Sequence, residues 1–239
     1  MTQKRIALVT GGNKGIGLET ARKLGEAGVH VLLGSRDPAR GDNAAKTLVE
    51  AGFGAECIHL DLDNAQSIAA AAESIRERFG RLDILVNNAG IFDFGDAAPG
   101  KAALDAVRRV MEVNFIGTLA VTQAMLPLLR AAPGARIVNL SSSMGSLTEN
   151  GDPDAPYYAQ RFIGYNASKA SLNMLTIQLH EELKDEGIKV NSVSPGFVKT
   201  DLTGYGELTP EEGARLPAEY ALSADVSGCF VEPNGITPW

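Results

Sequence analysis

Tyr165 and Lys169 stand four residues apart in the run Gly164-Tyr165-Asn166-Ala167-Ser168-Lys169-Ala170. On a helix, that spacing puts a phenol and an ammonium on one face. A free phenol, with a pKa near ~10, exchanges protons poorly at neutral pH. A fixed cation beside it stabilises the phenolate and is expected to lower that pKa. The pair therefore suits acid/base work in a carbonyl–alcohol interconversion. Tyr-x-x-x-Lys also arises by chance, so the argument depends on what surrounds it.

Leu172, Leu175, Leu179 and Leu183 continue the run at helical spacing. The same helix should thus line the core and hold the pair rigidly. A second signal opens the chain. Arg5-Ile6-Ala7-Leu8-Val9 reads as a buried strand, Thr10 to Gly17 as a glycine turn, and Leu18 to Ala27 as a helix stopped by Gly28. Strand, glycine turn and helix together form a phosphate-binding context. Gly11 allows the tight turn. Gly15 and Gly17 let a pyrophosphate and the next strand approach the backbone, with the helix N-terminus facing the anion.

These motifs resemble the short-chain dehydrogenase/reductase superfamily over almost the whole chain. The family's Thr-Gly-x-x-x-Gly-x-Gly is matched by Thr10 to Gly17, and its Asn-Asn-Ala-Gly by Asn87 to Gly90. Its active-site asparagine corresponds to Asn114, and its catalytic serine lies in Ile137 to Ser142. Its Tyr-x-x-x-Lys is Tyr165 and Lys169, and its Pro-Gly is Pro195-Gly196, with Thr200 downstream. Within the superfamily the chain looks most like the carbonyl reductases and the plant menthone and salutaridine reductases.

The resemblance implies a catalytic set of Asn114, Ser142, Tyr165 and Lys169. Of the three adjacent serines, registration from Asn139 favours Ser142. It further implies cofactor contacts at Gly11, Asn13, Lys14, Gly15, Ile16 and Gly17 in the turn. Asp61 and Leu62 fall where the family holds adenine, and Asn88, Ala89 and Gly90 lie near the adenosine ribose. Pro195, Gly196, Val198 and Thr200 complete the set, and Tyr165 and Lys169 also face the cofactor. Asn114 in the family binds a water that links the lysine to solvent; otherwise it is an ordinary structural amide.

Charge near the second strand bears on cofactor choice. NAD-specific relatives place an acidic residue at its end, to hold the ribose hydroxyls. Here Ser35 and Arg36 occupy that position, and Lys14 adds a second cation, so NADP(H) is expected. Asp37 lies beyond the usual acidic position.

Apolar runs alternate with helical stretches throughout. Val29–Leu33, Cys57–Leu60, Leu82–Val86, Arg136–Leu140 and Val190–Val193 read as further strands, and Cys229–Val231 as a short seventh. Asn64 to Phe79 and Leu104 to Arg130 read as helices. The expected fold is α/β, a Rossmann-type doubly wound parallel sheet with helices on both faces. No linker or repeat divides residues 1–239, so one dinucleotide-binding domain is expected. An insert near 144–163 and a mobile lid near 201–220 are expected to cover the substrate. Phe92, Phe94, Met144, Phe197 and Tyr205 are candidate apolar walls.

The formal net charge of −7 argues against a nucleic-acid surface. Cys57 and Cys229 are too few for a disulfide framework. His30, His59 and His180 lack metal-ligand spacing. Met1 to Arg5 lacks a signal-peptide apolar stretch, and no run approaches transmembrane length, so a cytoplasmic, membrane-free enzyme is expected. Its partner would be a small carbonyl compound. A monomer is expected over a homo-oligomer, if the insert masks the Tyr165 helix and its neighbour. Two other readings stand beside it. A noncatalytic dinucleotide sensor on the same fold tends to lose the tyrosine or lysine, and both are present. An extended-branch epimerase has a different glycine spacing and a longer C-terminal domain.

Overall fold

Alternate residues of the first strands face opposite ways, and both faces are apolar, so helices must cover the sheet on both sides. Leu8, Leu32, Leu85, Ile137 and Val190 enter one core, and Val9, Leu33, Val86, Val138 and Val193 the other. The computed structural model describes residues 4–239, so most of the Met1–Arg5 stretch read above for targeting lies outside the described residues.

In chain order the elements are β1 (Ile6–Thr10), α1 (Gly15–Glu26), β2 (His30–Ser35), α2 (Pro38–Glu50) and β3 (Ala55–His59). Next come α3 (Ala65–Phe79), β4 (Ile84–Asn87), α4 (Leu104–Met111), a π-helical segment (Glu112–Gly117) and α5 (Thr118–Arg130). β5 (Arg136–Leu140), α6 (Leu147–Gly151), α7 (Ile163–Leu183) and β6 (Lys189–Val193) follow. The described chain closes with α8 (Pro210–Gly213), α9 (Arg215–Leu222), β7 (Phe230–Glu232) and β8 (Gly235–Ile236).

One sheet runs β3-β2-β1-β4-β5-β6-β7-β8, parallel except for the last pair. The expected seven strands are therefore eight, because the turn after Glu232 returns a two-residue antiparallel strand. The order reverses between β1 and β4, so the ligand crevice of such a sheet lies beyond those strand ends. α3, α5 and α7 cover one face through Ile75, Met125 and Leu179. α1, α2 and α9 cover the other through Leu24, Leu48 and Ala221.

The helix expected from Leu104 to Arg130 has those bounds and contains a wider π-helical turn around Asn114. That whole helix is also long and apolar enough by composition to cross a membrane, contrary to the reading that no run approached that length. Its apolar side is the core side: Val121, Met125 and Leu129 are fully buried in the core against the sheet, and Val110 is fully buried nearby. Within the expected lid, residues 201–220, α8 and α9 follow a turn-rich stretch, and α9 carries the buried Ala218.

The insert is short, with α6 followed by turns, as its two prolines require. Its Asn150 Oδ1 and Gln160 carbonyl accept from Asn166 of α7, and Tyr157 turns to Phe197, while Leu104, Ile116 and Met174 stay exposed.

Candidate active site

Thr10, Asn87 and Leu140 end parallel strands, so the residues after them gather along one edge of the sheet. The glycine turn leaves β1 with Gly11 at φ 62° and Gly15 at φ 56°, conformations that side chains resist. Gly17 is needed for space, since a Cβ there would sit 2.4 Å from Asn88 Nδ2 and 2.5 Å from the Gly11 carbonyl. Asn88 Nδ2 donates to the Thr10 and Gly11 carbonyls at 2.8 and 3.2 Å. The Asn88 and Ala89 amides both donate to Thr10 Oγ1. The Asn88 side chain thus braces the turn from below rather than reaching outward.

Helix α1 begins after Lys14 with no side-chain cap and no acidic residue in its first turn. Its first N–H groups and the positive end of its dipole face the crevice, which is the cradle an anion requires. The residues present therefore fit a dinucleotide pyrophosphate.

Ser35 is buried and its hydroxyl donates to the Asp37 carbonyl at 2.8 Å, so it serves the β2 end internally. Arg36 is exposed, with no ion-pair partner among the described residues. Lys14 pairs with Asp201 at 2.8 Å. Arg40, in the first turn of α2 and paired with Asp37 at 3.2 Å, lines a shallow depression with Asn13, Lys14, Asn43 and Thr47. Sequence reasoning missed Arg40, although its spacing from Arg36 was the available signal.

Asp61 and Leu62 follow β3. The Asp61 amide is held by Ser67 Oγ at 3.0 Å, and Leu62 is buried, with its backbone passing close over Gly117. Pro195, Gly196 and Thr200 follow β6, where Gly196 has φ 82° and Val198 is buried. Thr200 comes near Gly15, so this loop meets the glycine turn across the crevice. Ile16 is half-buried in that turn.

At the other end of the crevice, Ser142, Tyr165 and Lys169 come together. The Ser142 hydroxyl lies close enough to the Tyr165 phenol to favour its ionised form, and it accepts from the Met144 amide at 3.2 Å. Ser141 points elsewhere, donating to Asn173 Oδ1 at 2.6 Å. Lys169 Nζ lies 5.6 Å from the Tyr165 ring centroid and donates to the Leu140 carbonyl at 2.7 Å. A Cβ on Gly90 would be 3.4 Å from Asn114 Oδ1 and 3.7 Å from Lys169 Nζ, so these three meet.

The Asn114 side chain is fully committed. It accepts from the Ile91 amide at 2.7 Å and donates to the Ile91 carbonyl and to Ser168 Oγ. It thereby ties the π-helical turn both to the β4 loop and to α7.

The electrostatics correct one expectation. The cation was expected to lower the phenol's pKa. Burial acts the other way and is the larger effect, pushing Tyr165 up to about 12, with the Ser142 hydrogen bond pulling partly back. Burial also pulls Lys169 down to about 8, because its ammonium has lost water.

Aromatic rings wall the cleft. Phe92 packs edge-on to Tyr165 at 6.0 Å and to Phe162 at 4.9 Å. Opposite them, Phe197 lies between Tyr157 and Tyr205 at 6.4 and 5.4 Å. Burial raises the Tyr157 phenol, and so do the nearby Glu207, Glu232 and Glu149 carboxylates. Phe92, Phe197 and Tyr205 were candidate walls from the sequence, and the fold adds Tyr157 and Phe162 to them. Phe94 stays almost fully exposed beside Phe92.

A doubly wound sheet with an open glycine-turn helix at its switch point defines a Rossmann-type protein. The chain belongs to the short chain dehydrogenase family, whose model matches residues 5–209. It is 35% identical to short-chain dehydrogenase/reductase 1 of Saponaria officinalis, across 100% of this chain and 97% of that one. That alignment runs over 298 positions against 239 residues here, so the relative carries residues with no counterpart in this chain. Among solved structures, NADPH-bound carbonyl reductase from chicken fatty liver superposes with a TM-score of 0.86 at 31% identity, covering 99% of this chain and 100% of that one. Salutaridine reductase from Papaver somniferum superposes with a TM-score of 0.83 at 29% identity, covering 95% and 99%. Membership makes the chain one of an oxidoreductase family acting between carbonyls and alcohols.

Proposed function

We propose that this protein is an NADPH-dependent reductase that converts a ketone or aldehyde of moderate apolarity to its alcohol. The observation that carries this reading is the meeting of the Tyr165 phenol with Ser142 and Lys169, inside aromatic walls and beside an uncapped phosphate cradle. The cofactor assignment draws further support from the NADPH-bound carbonyl reductase it resembles. Gly11 to Gly17 and the α1 N-terminus would hold the pyrophosphate. Lys14, Arg36 and Arg40 would hold the 2′-phosphate by charge-assisted contacts. When bound, the nicotinamide supplies the hydride.

Everything else falls to the chain's own residues. Ser142 orients the substrate oxygen against the phenol. Tyr165 gives its proton to that oxygen as negative charge develops there. A phenol pushed up to about 12 is fully protonated at neutral pH, which suits donation in the reducing direction. Lys169 places positive charge close to the phenolate as it forms. Asn114 fixes the backbone on which this geometry rests. Phe92, Phe197 and Tyr157 exclude water from the carbonyl.

NADPH oxidation against a panel of aldehydes, ketones and quinones tests the activity, with titration of NADPH and NADH testing the cofactor. Turnover of at least one ketone with NADPH is expected. Equal or tighter binding of NADH would remove the cofactor assignment.

A further inference from the structure

One buried carboxylate lies outside the steps above. Asp96 sits in the loop after β4, only 4% exposed, 68 and 69 residues before its hydrogen-bond donors. Its Oδ1 accepts from the Gly164 amide at 2.9 Å and its Oδ2 from the Tyr165 amide at 2.7 Å. Helix α7 supplies no cap of its own, since its preceding residue is Phe162 and no side chain of that residue bonds the first turn. The Ile163 amide is also bonded by this loop, through the Ala97 carbonyl at 3.0 Å. One bidentate carboxylate and one carbonyl therefore satisfy three amides that a helix start leaves orphaned. The negative charge lies at the positive end of the helix dipole.

The loop is itself held. Asp93 accepts from Arg109 at 2.7 and 2.9 Å and from the Gly95 amide, and the Asp93 carbonyl accepts from the Asp96 amide. The same loop presents Phe92 to the Tyr165 ring. Gly164 leaves little space for a side chain, since a Cβ would lie 3.1 Å from Asp96 Oδ2 and from Val107 Cα and force either to give.

We propose that Asp96 is a positioning residue for Tyr165, fixing the backbone of the residue that donates the proton. An ordinary helix cap stabilises the fold and leaves turnover of the folded enzyme unchanged. Here the capped amide is that of the acid itself, so a loosened first turn moves the phenol relative to Ser142. Small misplacements of a reacting group reduce turnover steeply. This inference rests on the reading of Tyr165 as the acid.

The test compares Asp96→Ala and Asp96→Asn with the parent at a temperature well below both melting points. kcat and KM are read with one reducible ketone, and NADPH affinity by fluorescence titration. Asp96→Ala should lower kcat at least about tenfold, with KM and NADPH affinity within about threefold. Asp96→Asn keeps one acceptor and should restore an intermediate kcat. If Asp96→Ala fails to fold, Asp96→Asn decides, through a kcat loss without loss of NADPH binding. A kcat within about twofold of the parent in the folded variants, or a loss that follows NADPH affinity alone, overturns the proposal. Tyr165→Phe is run beside them. If it retains turnover, the acid is misassigned and both readings fall. If it is inactive while Asp96→Ala is normal, only the role of Asp96 falls.

Discussion

Helices α1 and α7 both turn their first residues toward the crevice, and they are finished in opposite ways. The start of α1 has neither a capping side chain nor an acidic residue. The start of α7 is filled by the Asp96 carboxylate and the Ala97 carbonyl. A helix end left open can accept an anion, and one already occupied is held still. The first arrangement suits binding, and the second suits a side chain that must not wander. The difference also appears in how each end is held from behind. The turn before α1 is held by its own glycines and the Asn88 side chain, whereas α7 is held by Asp96, the Ala97 carbonyl and Asn114 from two other segments.

The largest expected effect tests the α7 side directly. Tyr165→Phe should lower kcat by about 10²–10⁴-fold, while NADPH binding and melting temperature stay near the parent. Stopped-flow or steady-state NADPH oxidation, paired with a fluorescence titration, separates the two. Near-parent turnover would remove the functional asymmetry between the two helices.

The α1 side breaks differently. Gly17→Ala pushes a methyl against the Gly11 carbonyl and Asn88, so the glycine turn must shift. Overpacking of this kind costs about 1–3 kcal/mol of stability. NADPH affinity should fall at least about tenfold, and kcat at saturating NADPH should change far less. A variant that binds NADPH normally would show that the turn does not need its tight approach to Asn88.

That contrast explains what was legible in advance. The glycine turn, the strand-by-strand alternation and the Tyr-Lys pair are local patterns, and each expected strand lies within two residues of where the pattern put it. The choice of Ser142 needed family registration. Asp96 was invisible, because an aspartate in Gly-Asp-Ala-Ala reads only as a loop residue. Its meaning arises from a contact across 68 residues. The pKa of Tyr165 was misjudged for a related reason. Sequence spacing shows the neighbouring cation, but the degree of burial belongs to the fold.

Burial of Lys169 gives a third, smaller effect with a definite sign. Its folded pKa, about 8, lies below the ordinary 10.5. Between those values the unfolded chain binds more protons, so stability rises with pH through that window and carries its full penalty below about 8. Tyr165 opposes this only above pH ~10, where the unfolded phenol begins to ionise. Lys169→Met should therefore lose turnover yet be more stable at pH 7, by up to about 3 kcal/mol. The gain should shrink as pH approaches 10, as read by urea melts across that range. A destabilised Lys169→Met at neutral pH would mean that the Leu140 contact outweighs the cost of burying the charge.

The smallest effect concerns the one ion pair that joins the glycine turn to the loop after β6. Lys14 and Asp201 meet at 2.8 Å with both side chains largely exposed, and the Lys14 hydrogen bond holds the Asp201 carboxyl below its usual range. Exposed pairs contribute little and are screened by salt. This one still engages the lysine that stands at the start of α1, where a phosphate is expected. Asp201→Asn frees that cation without moving the turn, and should tighten NADPH by about two- to fivefold at low salt. NADH, which lacks the 2′-phosphate, should bind as before. The gain should vanish in ~1 M salt, where the Debye length falls to about 3 Å. Equal tightening of NADH would place the Lys14 contact at the pyrophosphate shared by both cofactors, and move the burden of NADP selectivity onto Arg36 and Arg40.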